Sequence, residues 1–564
     1  MALPLVQAAW VLRADDRSLL DGDVVPVLGW LVLLALPGVV GAMSAWRWPR
    51  LGGVVLALWL VPWKLWFLDE HLEPEALWPV VALFAVGLGV AGARWSTAWV
   101  WPVGAVLGAL AAMWPVAGKP VVSSQAPSTA CSLPDGAVDG AVDTIVLVTL
   151  DTVRADHLGA IGGARFEPPT PHLDRLAERG TLFAEGVAPA PLTGPAHTAM
   201  LTGCNPLDLG VIRNGVAVPS AVPRVAAMLG ARGYRTGAFV AASVLDRKTG
   251  LGEGFDHYDD RFDVWHRLRG TWPRPLFGRL GWMPARRHRP GDEVVERALR
   301  WLGSGEGPTF LWVHLYDAHH PYDPEPTFVA SVMDTDPDGQ GTEADVAAWK
   351  RWAKQHHRVP DLPGVGLRGD LSDRLRAYAA EVSEVDAHVG RLLAALPADA
   401  AVLVAADHGE SLTEHGYLLN HGAHAYQATL RVPFVAVGPG FDAGRRVDTP
   451  TPETRVAGTL LRWGGRDAVG LETPHEGPIE SFAAGQEARR RLRLARGGAE
   501  LSVRDGATKW LVRSEQAWRF DLTVDPQERE PVPVAAEALQ ERLQTIRDGG
   551  SPLVMGLEAL GYVE

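Results

Sequence analysis

Five short apolar runs limit the fold more than any other feature of this chain: TIVLVTL (Thr144–Leu150), RTGAFVA (Arg235–Ala241), TFLWVHL (Thr309–Leu315), AVLVAA (Ala401–Ala406) and VPFVAV (Val432–Val437). They are too short for core helices and lack polar alternation, so they predict strands buried on both faces. Helical stretches separate them. PHLDRLAERG closes on Gly180 and VPRVAAMLGARG on Gly233, glycine being the residue that ends helices. The run Leu371–Leu396 has apolar residues at three-to-four spacing. Alternation of this kind predicts an α/β three-layer sandwich with a mainly parallel sheet. Ligands gather at the carboxyl ends of the strands in such sheets.

Polar residues of one chemical kind stand at those ends. The first run enters Asp151, and the fourth enters Asp407, His408, Gly409 and Glu410. The third carries His314 and enters YDAHHPY, with Asp317, His319 and His320; NHGAHAY adds His421 and His424. Each aspartate alone reads as a turn or cap residue. Together, Asp151, Asp407 and His408 offer a divalent cation two carboxylates and an imidazole converging from different strands. Thr193, in APLTGPAHTAMLTG, opens a helix with Pro195 in its first turn and His197 behind it. It reads either as an N-cap or as a nucleophile activated by the metal, with helix N–H groups holding the oxygens of a tetrahedral anion. His319 or His314 is the candidate acid for the leaving oxygen, and His421 the candidate helper of the water or acceptor alcohol. A second metal would have to draw on His421, His424 and Asp317, which fall short of a full set, so one metal is expected.

At 564 residues the chain exceeds one ordinary domain. Residues 1–120 hold twelve of its 22 tryptophans and four apolar runs, Val24–Trp46, Leu51–Leu68, Ala76–Ala93 and Ala98–Ala117. Their length and the tryptophans at their ends predict about four transmembrane helices. Arg47, Arg50 and Arg94 in the first and third connections put those in the cytoplasm, so the expectation is an integral membrane protein with an extracytoplasmic (periplasmic or cell-surface) catalytic domain. Residues 121–142 read as a linker, 143–450 as the catalytic domain and 451–564 as a small C-terminal α+β subdomain. Residues 330–370 read as an insertion or lid. A formal charge of −13 lacks the basic face that nucleic acid needs. The two cysteines, Cys131 and Cys204, allow one bridge in an oxidising compartment.

The stretches TIVLVTLDTVRADHLGA, TPHLDRLAERGTLFAEGVAPAPLTGPAHTAMLTG, GYRTGAFVAASVLDRKTGLGEGFDHYDD, WVHLYDAHHPY and AADHGESLTEHG with NHGAHAYQATLRVPFV occur in this order. They resemble the sulfatase family of the alkaline phosphatase superfamily, and SVRDGATKWLVRSEQAWRFDLTVDPQE is similar to that family's C-terminal subdomain. The resemblance implies an alkaline phosphatase-like fold. It puts Asp151 on the first metal aspartate, Asp407 and His408 on the later metal pair, and Thr193 on the nucleophile, where it would also touch the metal. It puts His197 on the basic residue after the nucleophile, and His319 on the histidine that contacts the transferred group or protonates the leaving oxygen. His421 falls in an element lining the same pocket.

Departures from the family pattern carry their own implications. Thr193 replaces the cysteine or serine that becomes formylglycine, so no formylglycine is expected. His197 replaces an arginine, Thr152 the second of two adjacent aspartates, and His408 an asparagine. One carboxylate fewer and one imidazole more favour zinc or manganese over calcium. A threonine nucleophile beside an Asp-His pair resembles phosphoryl-transferring relatives. The expectation is a metal-dependent hydrolase of phosphate esters ahead of sulfate esters. Its substrate would be a sulfated or phosphorylated small molecule, glycan or lipid head group. The alternatives are a membrane phosphoethanolamine or phosphoglycerol transferase, and a non-catalytic anion-binding relative.

Overall fold

In the computed structural model, the described residues are 121–122, 136–262, 289–335, 371–484, 499–513 and 516–534. Nine strands form the main sheet: β1 (Thr144–Leu150), β2 (Thr181–Val187), β3 (Arg235–Val240), β4 (His257–Asp259), β5 (Thr309–Leu315), β6 (Ala401–Ala406), β7 (Arg431–Val437), β8 (Arg445–Val447) and β9 (Thr451–Pro452). Their order is β8-β2-β7-β6-β1-β5-β3-β4, with β9 also paired to β2. Only β7 runs against the others. It starts at the sheet edge where β6 ends, directly after the polar loop 407–430, and so must run back down the sheet. The sequence expectation of a mainly parallel sheet holds with that one reversal.

Every position of β5 and β6, and all but the first of β1, is buried, which requires cover on both faces. Six helices supply it: α1 (Pro171–Arg179), α2 (Thr193–Thr202), α3 (Val225–Gly230), α4 (Gly291–Leu302), α5 (Leu371–Leu393) and α6 (Arg455–Trp463). They pack as two groups, α1 with α4 and α5, and α2 with α3 and α6. The first helix stops at Gly180 as read, and the second does not reach Gly233. Gly180 ends α1 in extended backbone, and its need for glycine is close approach: a Cβ there would lie 2.2 Å from the Ala436 carbonyl oxygen. Helix α3 ends at Gly230, three residues before the left-handed Gly233.

A second sheet is antiparallel throughout: β10 (Ile479–Ala484), β11 (Ala499–Asp505), β12 (Thr508–Arg513), β13 (Gln516–Asp521) and β14 (Val532–Val534). Phe482, Leu501, Val503, Val512 and Ala517 pack against Ala190 and Leu207, which flank α2. This sheet therefore abuts the element that carries Thr193. Cys204, just past the left-handed Gly203 that closes α2, is disulfide-bonded. The other cysteine of the chain, Cys131, lies outside the described residues.

The expectation of an integral membrane protein is corrected. Among the described residues no helix is long and apolar enough to cross a membrane. The four apolar runs on which that expectation stood fall outside the described residues, as does most of the expected lid at 330–370.

Candidate active site

Strands β1 and β6 are parallel neighbours, with Leu150 paired to Ala406, so the residues that follow them emerge side by side. Two backbone bonds extend the ladder past the strands: the Asp407 N–H donates to the Leu150 carbonyl (3.1 Å) and the Asp151 N–H to that of Leu315 (2.9 Å). Asp151, Asp407 and His408 are all buried, and their donor atoms lie within 4.8 Å of one another. Asp407 Oδ1 accepts from the N–H groups of Thr152 (3.2 Å) and His408 (2.7 Å). Thr152 reaches it by adopting left-handed backbone, φ 58°, strain that a well-supported site can hold.

His408 has one tautomer that fits. Its Nδ1 is 3.0 Å from the Gly409 carbonyl, which can only accept, so Nδ1 carries the proton and Nε2 turns its lone pair to the carboxylates. Nε2 lies 3.6 Å from Asp407 Oδ2 and 4.0 Å from Asp151 Oδ1. Asp407 Oδ2 is buried and has no hydrogen-bond partner among the described residues. A buried carboxylate oxygen without a donor, facing an imidazole lone pair, is a poor arrangement by itself and a good one around a cation. Burial and the nearby Asp151 push the Asp407 pKa up. Burial opposes a charged His408, but Asp407 and Asp151 outweigh it and hold its pKa above the ordinary value, so without a cation Nε2 favours a proton that a bound metal would displace.

Thr193 stands at the edge of this cluster. Its Oγ1 donates to Asp151 Oδ2 at 3.2 Å and lies 3.4 Å from His408 Nε2. It is not the N-cap. That position belongs to Leu192, which caps nothing with its side chain, and α2 starts at Thr193 itself. The first helical N–H beyond it, on Gly194, is taken by Asn214 Oδ1 at 2.8 Å. One of the N–H groups expected to hold an anion is therefore already engaged.

His197 lies one turn along α2, fully buried, with both ring nitrogens occupied. Nδ1 donates to the Thr193 carbonyl (2.8 Å), and Nε2 accepts from Thr149 Oγ1 (2.9 Å), which itself accepts from Trp312 Nε1 (2.9 Å). Burial and the neighbouring His314 drive its pKa down to about 3, so it is neutral. His197, His314 and Asp407 form a second group of possible ligands. With both His197 nitrogens spent, Asp151, Asp407 and His408 make the better seat. His314 is buried against Asp151, its Nε2 3.3 Å from Oδ2, while Nδ1 accepts from the Ala241 N–H at 3.4 Å.

The remaining histidines divide. His421 is held through Nδ1 by Glu410 Oε1 at 3.1 Å, and its ring lies 4.5 Å from that of His408 and 4.8 Å from that of His319. Glu410 is fully buried and also accepts from the Tyr322 hydroxyl at 3.1 Å. His319 stacks on Tyr316 at 4.2 Å and donates from Nδ1 to the His320 carbonyl. Burial and then His421 hold its pKa well below the ordinary value. A neutral His319 with that tautomer presents an acceptor at Nε2, not an acid. His424 is engaged with Glu500 (2.6 Å), and Asp317 falls in a separate group with Glu384 and His388. Neither joins His421 in a second metal set. Sequence reasoning named Glu410 at the strand end but gave it no role, and it missed Thr149, Trp312 and Asn214. Only Glu410, beside the Asp-His pair, left any local signal.

Comparison with known proteins agrees with this fold. Residues 143–466, more than half of the chain, match the sulfatase family. A sulfatase of Formosa agariphila is 24% identical over 346 residues, which cover 53% of this chain and 65% of the relative; an ulvan-active sulfatase of that bacterium is 24% identical, with 58% of its length covered. The chain thus covers less than two thirds of these curated relatives. Among solved structures, the phosphonate monoester hydrolase of Agrobacterium radiobacter superposes with a TM-score of 0.56 at 21% identity, covering 74% of this chain and 96% of that one. A protein solved with its substrate D-glucosamine-2-N,6-O-disulfate gives 0.55 at 16% identity, covering 72% and 97%. The mainly parallel sheet, the buried Asp-Asp-His cluster at its strand ends and the match over residues 143–466 lead to one assignment: the chain belongs to the sulfatase family.

Proposed function

We propose that this chain is a metal-dependent ester hydrolase whose nucleophile is Thr193, with phosphate esters preferred to sulfate esters. One observation carries the reading: the Thr193 hydroxyl caps no helix, yet lies 3.2 Å from Asp151 and 3.4 Å from His408. Asp151, Asp407 and His408 would hold the cation, and two carboxylates with an imidazole suit zinc or manganese better than calcium. Bound there, a divalent cation lowers the pKa of a nearby hydroxyl and offsets charge gathering on ester oxygens.

The chain's own residues do the rest. His197 fixes the Thr193 carbonyl, so the first turn of α2 presents Oγ1 in one position. Oγ1 attacks phosphorus as its proton passes to Asp151 Oδ2; the Oγ1–P bond forms, the bond to the leaving oxygen breaks, and that oxygen leaves with the bonding pair and takes a proton from water. Water then attacks the Thr193 ester, restoring the hydroxyl and releasing phosphate or a monoester. His421, locked by Glu410, lines the side from which that water comes. Threonine cannot become the aldehyde on which the family's sulfate chemistry rests, which favours phosphorus. The named relatives act on sulfated sugars and phosphonate monoesters, so a phosphorylated or sulfated small molecule or glycan is the substrate class.

The test is turnover of an aryl sulfate, an aryl phosphate, a bis-aryl phosphodiester and an aryl phosphonate monoester. It is run metal-free and with zinc, manganese or calcium, beside Thr193→Ala. Turnover of a phosphorus ester with zinc or manganese, lost in the variant, is expected. Sulfate turnover alone, or a fully active variant, would overturn the proposal.

A further inference from the structure

Beyond its own Ser411–Asn420 bridge, the loop that carries His421 is held by the C-terminal sheet and the turn that follows it. Three of its backbone groups end on buried side chains. The Ala425 N–H donates to Glu500 Oε2 (3.0 Å), the Ala425 carbonyl accepts from Lys509 Nζ (2.7 Å), and the Gln427 N–H donates to Glu528 Oε2 (2.5 Å). Glu500 lies on β11, Lys509 on β12, and Glu528 in the turn after β13. Lys509 and Glu528 also pair with each other at 2.6 Å, both buried. Glu528 keeps this place with a left-handed backbone, φ 55°, a strain that persists only where the surroundings fix it.

The contacts continue toward the reaction centre. Glu500 Oε1 holds His424 Nδ1 at 2.6 Å, and the His424 ring packs edge-on against Tyr417 at 4.8 Å. The Tyr417 hydroxyl donates to the His421 carbonyl at 2.6 Å, and His421 lies against His408 and His319. Buried backbone groups need partners. Here those partners are charges on a second sheet, placed where an ordinary loop would use its own turns.

We infer that Glu500, Lys509 and Glu528 are positioning residues for hydrolysis, acting through the loop 421–427 to fix His421. This rests on the proposed reading that His421 lines the centre. Two full-length variants test it. Glu528→Gln strands the buried Lys509 charge and risks poor folding. The double variant Lys509→Met with Glu528→Leu removes both charges, so it folds without a buried unpaired ion, yet leaves the Ala425 carbonyl and Gln427 N–H without their partners. The double variant is expected to lose about 10–100-fold in kcat on the bis-aryl phosphodiester, the usual range for a supporting shell, with KM changed less than about twofold. Its zinc affinity is expected to stay at the wild-type value, and amide hydrogen exchange to speed up across 421–427 while β1 and β6 stay protected. Wild-type kcat in the folded double variant, or unchanged exchange across 421–427, overturns the inference. A wild-type protein silent on every substrate refutes the Thr193 reading instead, and exchange across the loop then decides this inference alone.

Discussion

Thr193 can be tested as nucleophile against cap with two variants whose difference isolates one hydroxyl. Thr193→Ser removes a buried methyl group, worth about 1 kcal/mol of stability, and keeps Oγ. Thr193→Ala removes the methyl and the hydroxyl. In an N-cap, serine and alanine differ by about 1 kcal/mol, because the oxygen satisfies a helical N–H. Thr193 satisfies none; it lies inside α2, and Asn214 takes the Gly194 N–H. The alanine variant also loses the bond to the buried Asp151 carboxylate, so metal-free it should be about 1–3 kcal/mol less stable than the serine variant in urea unfolding. Their turnover should differ by at least about 10³-fold, since loss of a nucleophile leaves only binding and charge stabilisation. The serine variant should form a phosphorylated intermediate visible by mass spectrometry after rapid quench. Asn214→Ala gives the complementary result: about 1 kcal/mol less stable, with the adduct still formed. Equal turnover of the serine and alanine variants, with no phosphorylated intermediate on serine, would refute the reasoning and leave the Thr193 hydroxyl a structural partner of Asp151.

Three other expectations follow from the same structure. Chelation should abolish turnover, and zinc or manganese should restore it at one equivalent by metal analysis; two equivalents would mean that ligands beyond Asp151, Asp407 and His408 had been overlooked. Asp386, buried on α5 against the N-terminus of α1, has its pKa raised by burial from 3.8 to about 6, against the opposing bonds from the Leu173 and His172 N–H groups. The folded chain thus keeps a proton that the unfolded chain loses, and stability falls as pH rises from about 4 to 6. The stability gap between wild type and Asp386→Asn should shift by about 2 kcal/mol in the variant's favour between pH 4 and pH 8; a gap flat in pH denies the burial argument. Gly186→Ala should cost about 1–3 kcal/mol in urea unfolding, because its Cβ would lie 2.4 Å from the Val432 carbonyl oxygen, at the bulge between β2 and β7; a neutral result would mean that the bulge yields.

What the sequence could tell depended on whether a residue's role is local. TIVLVTL and AVLVAA are read correctly because burial on both faces leaves a continuous apolar run, and Asp151, Asp407 and His408 follow from being the next residues along. Thr193 was ambiguous because threonine before a helix is a common cap, and the residue that takes the helical N–H, Asn214, stands twenty positions away. Thr149 looks like any strand residue; its bonds to His197 and Trp312 exist only once α2 and β5 are packed. Glu500 and Lys509 look like solvent-facing charges in a half-polar strand pattern, yet both are buried against the loop 421–427. The reversed β7 was likewise invisible, since an apolar run does not state its direction.

The departures from the family pattern make physical sense as a set. Where the resemblance places an arginine, His197 is neutral and spends its two nitrogens on the Thr193 carbonyl and Thr149. Where the resemblance places a second aspartate, Thr152 contributes a backbone N–H to Asp407 and a hydroxyl that donates back to the Asp151 carbonyl. As the resemblance places these residues, the site lacks one buried cation and one buried carboxylate together. Dropping either alone would strand the other in a water-poor interior, where an uncompensated charge costs about 3–5 kcal/mol. The third change, His408 for asparagine, exchanges an amide oxygen for an imidazole nitrogen aimed at Asp407 Oδ2. The net result leaves the charge balance of the centre intact while softening its ligand set. On the proposed reading Thr193, which cannot form an aldehyde, acts through its own oxygen beside that set.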